Sequence, residues 1–76
     1  MNIAIIGAGK LGYKIASALT GGNYSITVID KNANLINKIA NHLDVMTINE
    51  DARQSSVLKD IGIGKFDYVI TTTDDD

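Results

Sequence analysis

What the 76-residue sequence lacks narrows the range of proteins to which it can belong. It contains no cysteine, which excludes disulfide bonds and thiolate metal sites. It contains no proline and no low-complexity stretch, so we expect packed helices and strands joined by short turns. The net charge of −2 gives no electrostatic sign of nucleic-acid binding. The length allows one domain with a modest core.

Long apolar runs are also missing, and no run approaches the roughly 20 residues of a membrane span. Residues 1–6 lack the basic segment of a signal peptide, so we expect none. The single histidine, His42, falls in the last turn of a predicted helix, and no cluster of acids or cysteines accompanies it in the sequence. We interpret it as a surface or capping residue and predict no metal site.

The chain is organised around a glycine-rich stretch between a predicted strand (residues 2–6) and a predicted helix (about 11–20). The stretch consists of Gly7, Ala8, Gly9, Lys10, Leu11 and Gly12. A G-x-G-x-x-G motif at a strand-to-helix turn is typical of dinucleotide-binding folds. Gly7 permits the sharp turn, Gly9 lets a pyrophosphate approach the backbone, and Gly12 lets the helix pack close to the strand.

The helix after these glycines has two predicted faces. Its apolar residues have the spacing of a single buried face, which comprises Leu11, Ile15, Ala18 and Leu19. Lys10 and Lys14 project from the first turns onto a solvated face, and Lys10 is also a candidate phosphate contact. The N–H groups at the helix start and the helix dipole favour bound phosphates.

An acid at the end of the second predicted strand (residues 25–29) supplies the other half of the motif. Asp30 lies 18 residues after Gly12, near the offset of about 20 expected for the ribose-binding acid. Its carboxylate would accept hydrogen bonds from the adenosine ribose and repel a 2′-phosphate, which favours NAD(H) over NADP(H). Lys31 weakens that preference slightly. The alternative is an ordinary tight turn followed by an acid at a helix N-terminus.

The rest of the chain continues the alternation of strands and helices. A second helix is predicted over 33–42 with Asn32 as its N-cap, and its apolar stripe comprises Leu35, Ile36, Ile39, Ala40 and Leu43. A strand (44–49), a helix (54–61) and a strand (67–73) follow. This order predicts one α/β domain over residues 1–76, with a Rossmann-like parallel sheet in the order 3-2-1-4 and helices on both faces. We expect it to be the first part of a longer doubly wound domain.

Three segments resemble the N-terminal nucleotide-binding domain of Trk-type potassium-uptake regulators, also called the RCK domain. They are residues 5–12, residues 28–32, and a later half containing 49–52, 57–63 and 66–75. The resemblance implies a cytoplasmic regulatory domain, peripheral to the inner face of the membrane. Such a domain binds NAD(H), or alternatively ATP or ADP, and controls a membrane potassium transporter. It also implies homo-oligomers and no catalytic residues.

The resemblance assigns roles to residues that match the family pattern. It places Gly7, Gly9 and Gly12 at the phosphates and Asp30 at the ribose. It also places Asp51 and Ala52 at the adenine side and Thr72 where the fourth strand leaves the sheet toward the ligand. Two residues depart from the pattern: Glu50 stands at a family glycine, and Ile61 at a family alanine. Glu50 adds a carboxylate near the predicted adenosine pocket, so the roles of Asp51 and Ala52 stay open.

Two other functions are compatible with these residues. The chain could be the cofactor-binding half of an NAD-dependent oxidoreductase, although no general acid or base is visible near the predicted nicotinamide position. It could also fold without useful nucleotide affinity of its own. We further expect self-association, because the predicted strand at 67–73 has no proline and carries charges only at its ends.

Overall fold

The computed structural model describes residues 1–72, apart from the side chains of residues 55 and 63. The elements in chain order are β1 (Asn2–Ile6), α1 (Lys10–Leu19), β2 (Ser25–Asp30), α2 (Ala33–His42), β3 (Met46–Asn49), α3 (Ser55–Ile61), a 3₁₀ turn (Ile63–Lys65) and β4 (Tyr68–Thr71). The predicted alternation of strands and helices is confirmed. Strands β3 and β4 are shorter than predicted, the 3₁₀ turn was not predicted, and residues 73–76 lie outside the described residues.

The four strands form one parallel sheet in the order β3-β2-β1-β4, as predicted. Ile6 at the end of β1 is in register with Ile29 and with Thr71, and Asp30 is in register with Asn49. The carboxyl ends of all four strands therefore meet at one edge of the sheet. Right-handed crossovers place α1 and α2 on one face and α3 on the other.

The main core lies between the central strands and the helices α1 and α2. Its buried members are Ile3, Ile5, Ala8, Ala16, Ile26, Val28, Ile36 and Ile39. On α2 the prediction was right for Ile36 and Ile39, while Leu35 and Leu43 are partly buried. It was wrong for Ala40, which is exposed because it flanks the narrow stripe that touches the sheet.

Helix α1 presents its smallest residues to the sheet, which corrects the predicted face. Gly12 and Ala16 are its buried residues, whereas Leu11 and Ala18 are exposed. Because Gly12 lacks a Cβ, the helix approaches β1 closely, and the residue one turn later must also be small. The larger Ile15 and Leu19 pack only at the sides of this contact.

The ends of α2 carry the side-chain caps that were predicted. The Oδ1 of Asn32 accepts hydrogen bonds from the N–H groups of Asn34 (2.9 Å) and Leu35 (3.2 Å). At the other end, the Nδ1–H of His42 donates to the carbonyl of Lys38 at 2.7 Å. The bonds to Asn32 fix where α2 begins, and so they fix the backbone immediately after Asp30.

Candidate functional site

The turn from β1 into α1 is built around Gly7 and Thr72. Gly7 has a φ of +118°, and its N–H donates to the carbonyl of Ile29 at 2.8 Å. Thr72 donates to the carbonyl of Ile6 twice, through its N–H (2.9 Å) and its Oγ1 (3.1 Å). A Cβ added at Gly7 would overlap the Thr72 hydroxyl. Glycine is therefore required here both by the backbone conformation and by the space that Thr72 occupies.

The start of α1 packs against this turn through Gly12. A Cβ at Gly12 would overlap the carbonyl oxygen of Gly7 and would lie 3.7 Å from a methyl group of Ile5. The close helix-to-strand packing predicted for this glycine is thus present in the structure. It places the N-terminus of α1 directly beside the end of β1, where the strand edge begins.

Gly9 is the N-cap residue of α1. Its φ of −72° and ψ of −163° are extended values that other residues adopt readily, so the backbone conformation does not require glycine. Gly9 has no side chain with which to cap the helix, and no acidic residue lies in the first turn of α1. Glycine adds no side chain at this helix N-terminus, where the N–H groups and the dipole favour an anion.

Asp30 links this glycine loop to the start of α2. Its Oδ2 accepts a hydrogen bond from the Ala8 N–H at 2.7 Å, and its Oδ1 accepts one from the Asn32 N–H at 2.8 Å. Each carboxylate oxygen has a second lone pair with which to accept a further bond. The structure therefore brings together the acid predicted for the ribose and the loop predicted for the phosphates.

Asp51 is engaged by a cation in its own turn. Arg53 donates to it through Nε (3.1 Å), Nη2 (3.0 Å) and the backbone N–H (3.0 Å). These hydrogen bonds from Arg53 lower the pKa of Asp51 from 3.8 to about 2, and those from its side chain have the largest effect. The nearby positive charge of Lys31 lowers that pKa by a smaller amount, which puts Lys31 and Asp51 in one neighbourhood. Ala52, which separates Asp51 from Arg53 in the sequence, is half-buried.

Neither a metal centre nor a membrane span is found in the part of the chain that the structure describes. Residues 1–72 contain no group of three or more side chains that could hold a metal ion. Their helices are all too short to cross a bilayer.

A family model for the TrkA-N domain matches residues 3–76. The chain belongs to the TrkA-N domain family. This membership agrees with the parallel sheet and the glycine turn, which give the domain a Rossmann-like, nucleotide-binding fold. It also bears out the family resemblance inferred from the sequence.

Curated relatives of this TrkA-N domain are named as potassium uptake proteins. The Trk system potassium uptake protein TrkA of Vibrio alginolyticus is 33% identical over 76 residues, which cover 100% of this chain and 17% of the relative. The TrkA homolog of Archaeoglobus fulgidus is 34% identical over the same shares. The TrkA of Mycobacterium tuberculosis is 33% identical over an alignment of 82 residues, which covers 100% of this chain and 34% of the relative. The chain thus spans between a sixth and about a third of these relatives' lengths.

A groove with a volume of about 1140 Å³ runs along α1 and α2 of the TrkA-N domain. It is lined by Ala8, Gly9, Lys10, Leu11, Tyr13, Lys14, Ser17, Ala18, Leu35 and Lys38. The groove shares the glycine loop with the predicted site but does not include Asp30, Asp51 or Thr72. We therefore locate the candidate site from the strand ends and the helix N-terminus, since those carry its polar groups. The exposed Leu11 and Ala18 form part of this groove.

Two polar residues of the TrkA-N domain's strand edge were not predicted as site residues. The Nδ2 of Asn49 donates to the backbone carbonyl of Asp30 at 3.0 Å, and Arg53 holds Asp51. The sheet register would have indicated Asn49, because it is the partner of Asp30 at the last position of β3. Arg53 offered only its sequence spacing from Asp51, which by itself does not indicate an ion pair.

Proposed function

We propose that this TrkA-N domain binds NAD(H) and that nucleotide binding regulates a membrane potassium transporter. The observation that carries the proposal is the Asp30 carboxylate, hydrogen-bonded to Ala8 of the glycine loop. This contact holds an acceptor for ribose hydroxyls next to a helix N-terminus suited to phosphates.

The phosphate half of the proposal depends on the loop and the start of α1. Gly9 adds no side chain at the N-terminus of α1, and the first turn of α1 contains no acidic residue that would oppose an anion. Lys10 lines the groove along α1 and α2 and carries a positive charge next to Gly9. NAD(H), ATP and ADP all carry the required diphosphate, so these contacts support each of them.

The ribose half of the proposal favours NAD(H) over NADP(H). The carboxylate of Asp30 retains acceptor capacity for the adenosine 2′- and 3′-hydroxyls, whereas a 2′-phosphate would bring negative charge against it. The positive charge of Lys31 would attract a 2′-phosphate and so opposes this preference. The opposition is only partial, because the same charge also interacts with Asp51. Asp51 and Ala52 would flank the adenine, with Asp51 kept ionised by Arg53.

The regulatory part of the proposal is supported by the relatives. Three of them are named as Trk system potassium uptake proteins or homologs, and this chain aligns with each over its full length. We therefore propose that the domain acts in the cytoplasm, at the inner face of the membrane, as part of a protein that associates with a potassium transporter. In this role it needs nucleotide contacts but no catalytic residues.

We expect Asp30→Ala to weaken NADH binding about 10- to 100-fold, because each charge-assisted hydrogen bond to the ribose contributes about 1.5–3 kcal/mol before water compensates. The wild-type domain should bind NADH more tightly than NADPH, and the variant should narrow that difference. Isothermal titration calorimetry with NAD, NADH, NADPH, ATP and ADP measures both effects.

Asp44→Ala is the matched control for this titration, since Asp44 is an exposed acid and its removal changes the net charge equally. It should leave the NADH affinity unchanged. Wild-type protein that binds NADPH as tightly as NADH would refute the assignment of Asp30 to the ribose.

We also propose that the domain associates with a second copy of itself through the edge of the sheet at β4. Among the described residues, β4 pairs only with β1, and its Tyr68 and Val69 are 58% and 43% exposed. Exposed apolar strand edges readily pair with another chain. Sedimentation should therefore show a dimer, and Val69→Lys should shift it toward monomer.

Met46→Lys provides the control for this dimer. Met46 is 70% exposed on β3, at the opposite edge of the sheet, so the same change there should leave the β4 contact intact. A monomeric wild-type chain at high micromolar concentration would contradict the proposal.

A further inference from the structure

We infer that Asn49 is a positioning residue, which holds Asp30 so that its carboxylate meets the adenosine ribose. The inference rests on the proposed function, because it names how the same site achieves its preference for an unphosphorylated ribose. Asn49 would not itself contact the ribose or the Asp30 carboxylate. It acts on the backbone carbonyl of Asp30.

The sheet register brings Asn49 and Asp30 side by side. They are the last paired residues of β3 and β2, at the edge where the strand ends meet. The Nδ2 of Asn49 donates to the backbone carbonyl of Asp30 at 3.0 Å. A side-chain amide therefore continues the link between β2 and β3 at the point where the two strands end.

This bond adds a third tie to a residue whose other two ties involve its carboxylate. Those two join Asp30 to Ala8 in the glycine loop and to Asn32 at the start of α2. Both partners lie in segments between regular elements, whereas Asn49 belongs to the sheet. The Asn49 bond thus ties the end of β2 at Asp30 to β3, so that the carboxylate direction does not depend on the loop alone.

The orientation of the carboxylate matters for the ribose more than for the phosphates. A carboxylate discriminates between a 2′-hydroxyl and a 2′-phosphate only if it is directed at that position, since hydrogen bonds weaken steeply away from linearity. Alanine at position 49 would remove the amide donor without adding charge or bulk. The Asp30 peptide could then rotate, and the contact with the ribose would loosen.

We expect Asn49→Ala to weaken NADH binding roughly 3- to 10-fold, the range of one neutral hydrogen bond, while NADPH binding changes little. The NADH-to-NADPH preference should therefore contract. In an Asp30→Ala background, the same substitution should have no further effect on NADH. Calorimetric titration of the wild type, both single variants and the double variant with NADH and NADPH measures all three results.

Asn41→Ala serves as the control, because Asn41 is an exposed asparagine on α2. Equal weakening of NADH and NADPH by Asn49→Ala would show a merely structural role and overturn the inference, as would unchanged NADH affinity. Both results concern the variant alone and leave the preference of the wild type for NADH over NADPH intact, so the proposed function would stand. A wild type that binds neither nucleotide would overturn the proposed function and this inference together.

Discussion

Gly9→Val should reduce NADH binding by at least about 100-fold while leaving the helix content of the domain unchanged. The loss follows from the position of Gly9 at the N-terminus of α1, where the valine side chain would cover the approach of the pyrophosphate. Losing two charge-assisted hydrogen bonds of about 1.5–3 kcal/mol each accounts for a decrease of this size.

The fold should tolerate this substitution because of the conformation of Gly9. Its φ of −72° and ψ of −163° lie in the extended region that β-branched residues favour. The backbone conformation therefore does not oppose a valine at Gly9, which makes Gly9 a sharper probe of binding than Gly7, where φ is +118°.

Calorimetry with NADH and far-ultraviolet circular dichroism test the two halves of this prediction. Gly64→Ala is the control, because an added Cβ there would meet no atom within 4 Å and Gly64 lies outside the glycine loop. It should bind NADH as the wild type does. Undiminished NADH binding by Gly9→Val would show that the phosphates bind elsewhere.

The sequence predicted those parts of the fold and site that depend on local signals. Strict alternation of strands and helices, with right-handed crossovers, leads to the sheet order that the structure shows. The cap at Asn32 depends only on the residue itself and its next neighbours, and it was predicted correctly. The contact between Asp30 and the glycine loop follows from the sheet, because β1 and β2 end side by side.

The sequence could not predict features set by the closeness of packing. Hydrophobic periodicity selected Leu11 and Ala18 for the buried face of α1, but the close approach at Gly12 buries Ala16 instead. Periodicity counts apolar residues and does not measure the distance between a helix and a sheet. The link between Asn49 and Asp30 was missed for a related reason. It depends on the register of β2 and β3, and the two residues are 19 positions apart in the chain.

One residue, Asp30, therefore connects the parts of the candidate site. Asp30 receives a hydrogen bond from the glycine loop, one from the start of α2, and one on its backbone carbonyl from β3. A ligand that bonds to the Asp30 carboxylate would share it with the glycine loop and the start of α2, which donate to the same group. This arrangement gives a physical route by which ribose binding could alter the loop and helix that surround it.

Gly12→Ala should destabilise the domain by about 3 kcal/mol or more, at the upper end of the range for overpacked sites. The new Cβ would overlap the carbonyl oxygen of Gly7. That oxygen belongs to the backbone and cannot move aside as a flexible side chain would, because the Gly7 N–H is bonded to Ile29. Helix α1 would have to shift away from β1 and give up part of its packing on the core.

The expected loss is large relative to the whole stability of the domain. At about 0.05–0.15 kcal/mol per residue, a chain of this length is stable by only about 4–11 kcal/mol. The helix propensity of alanine acts in the opposite direction, since it favours alanine over glycine by about 1 kcal/mol inside a helix. The sign of the measured change therefore decides whether the contact with Gly7 or the propensity of α1 dominates.

Urea unfolding monitored by circular dichroism measures this change, with Gly64→Ala as the control. Both variants add one methyl group in place of a glycine hydrogen, but the Cβ at position 64 meets no atom within 4 Å. The control should therefore change the free energy of unfolding by no more than about 0.5 kcal/mol. If Gly12→Ala is as stable as the wild type, α1 does not pack on the Gly7 backbone as closely as the structure shows. The glycine at position 12 would then not be what holds the helix N-terminus beside Asp30.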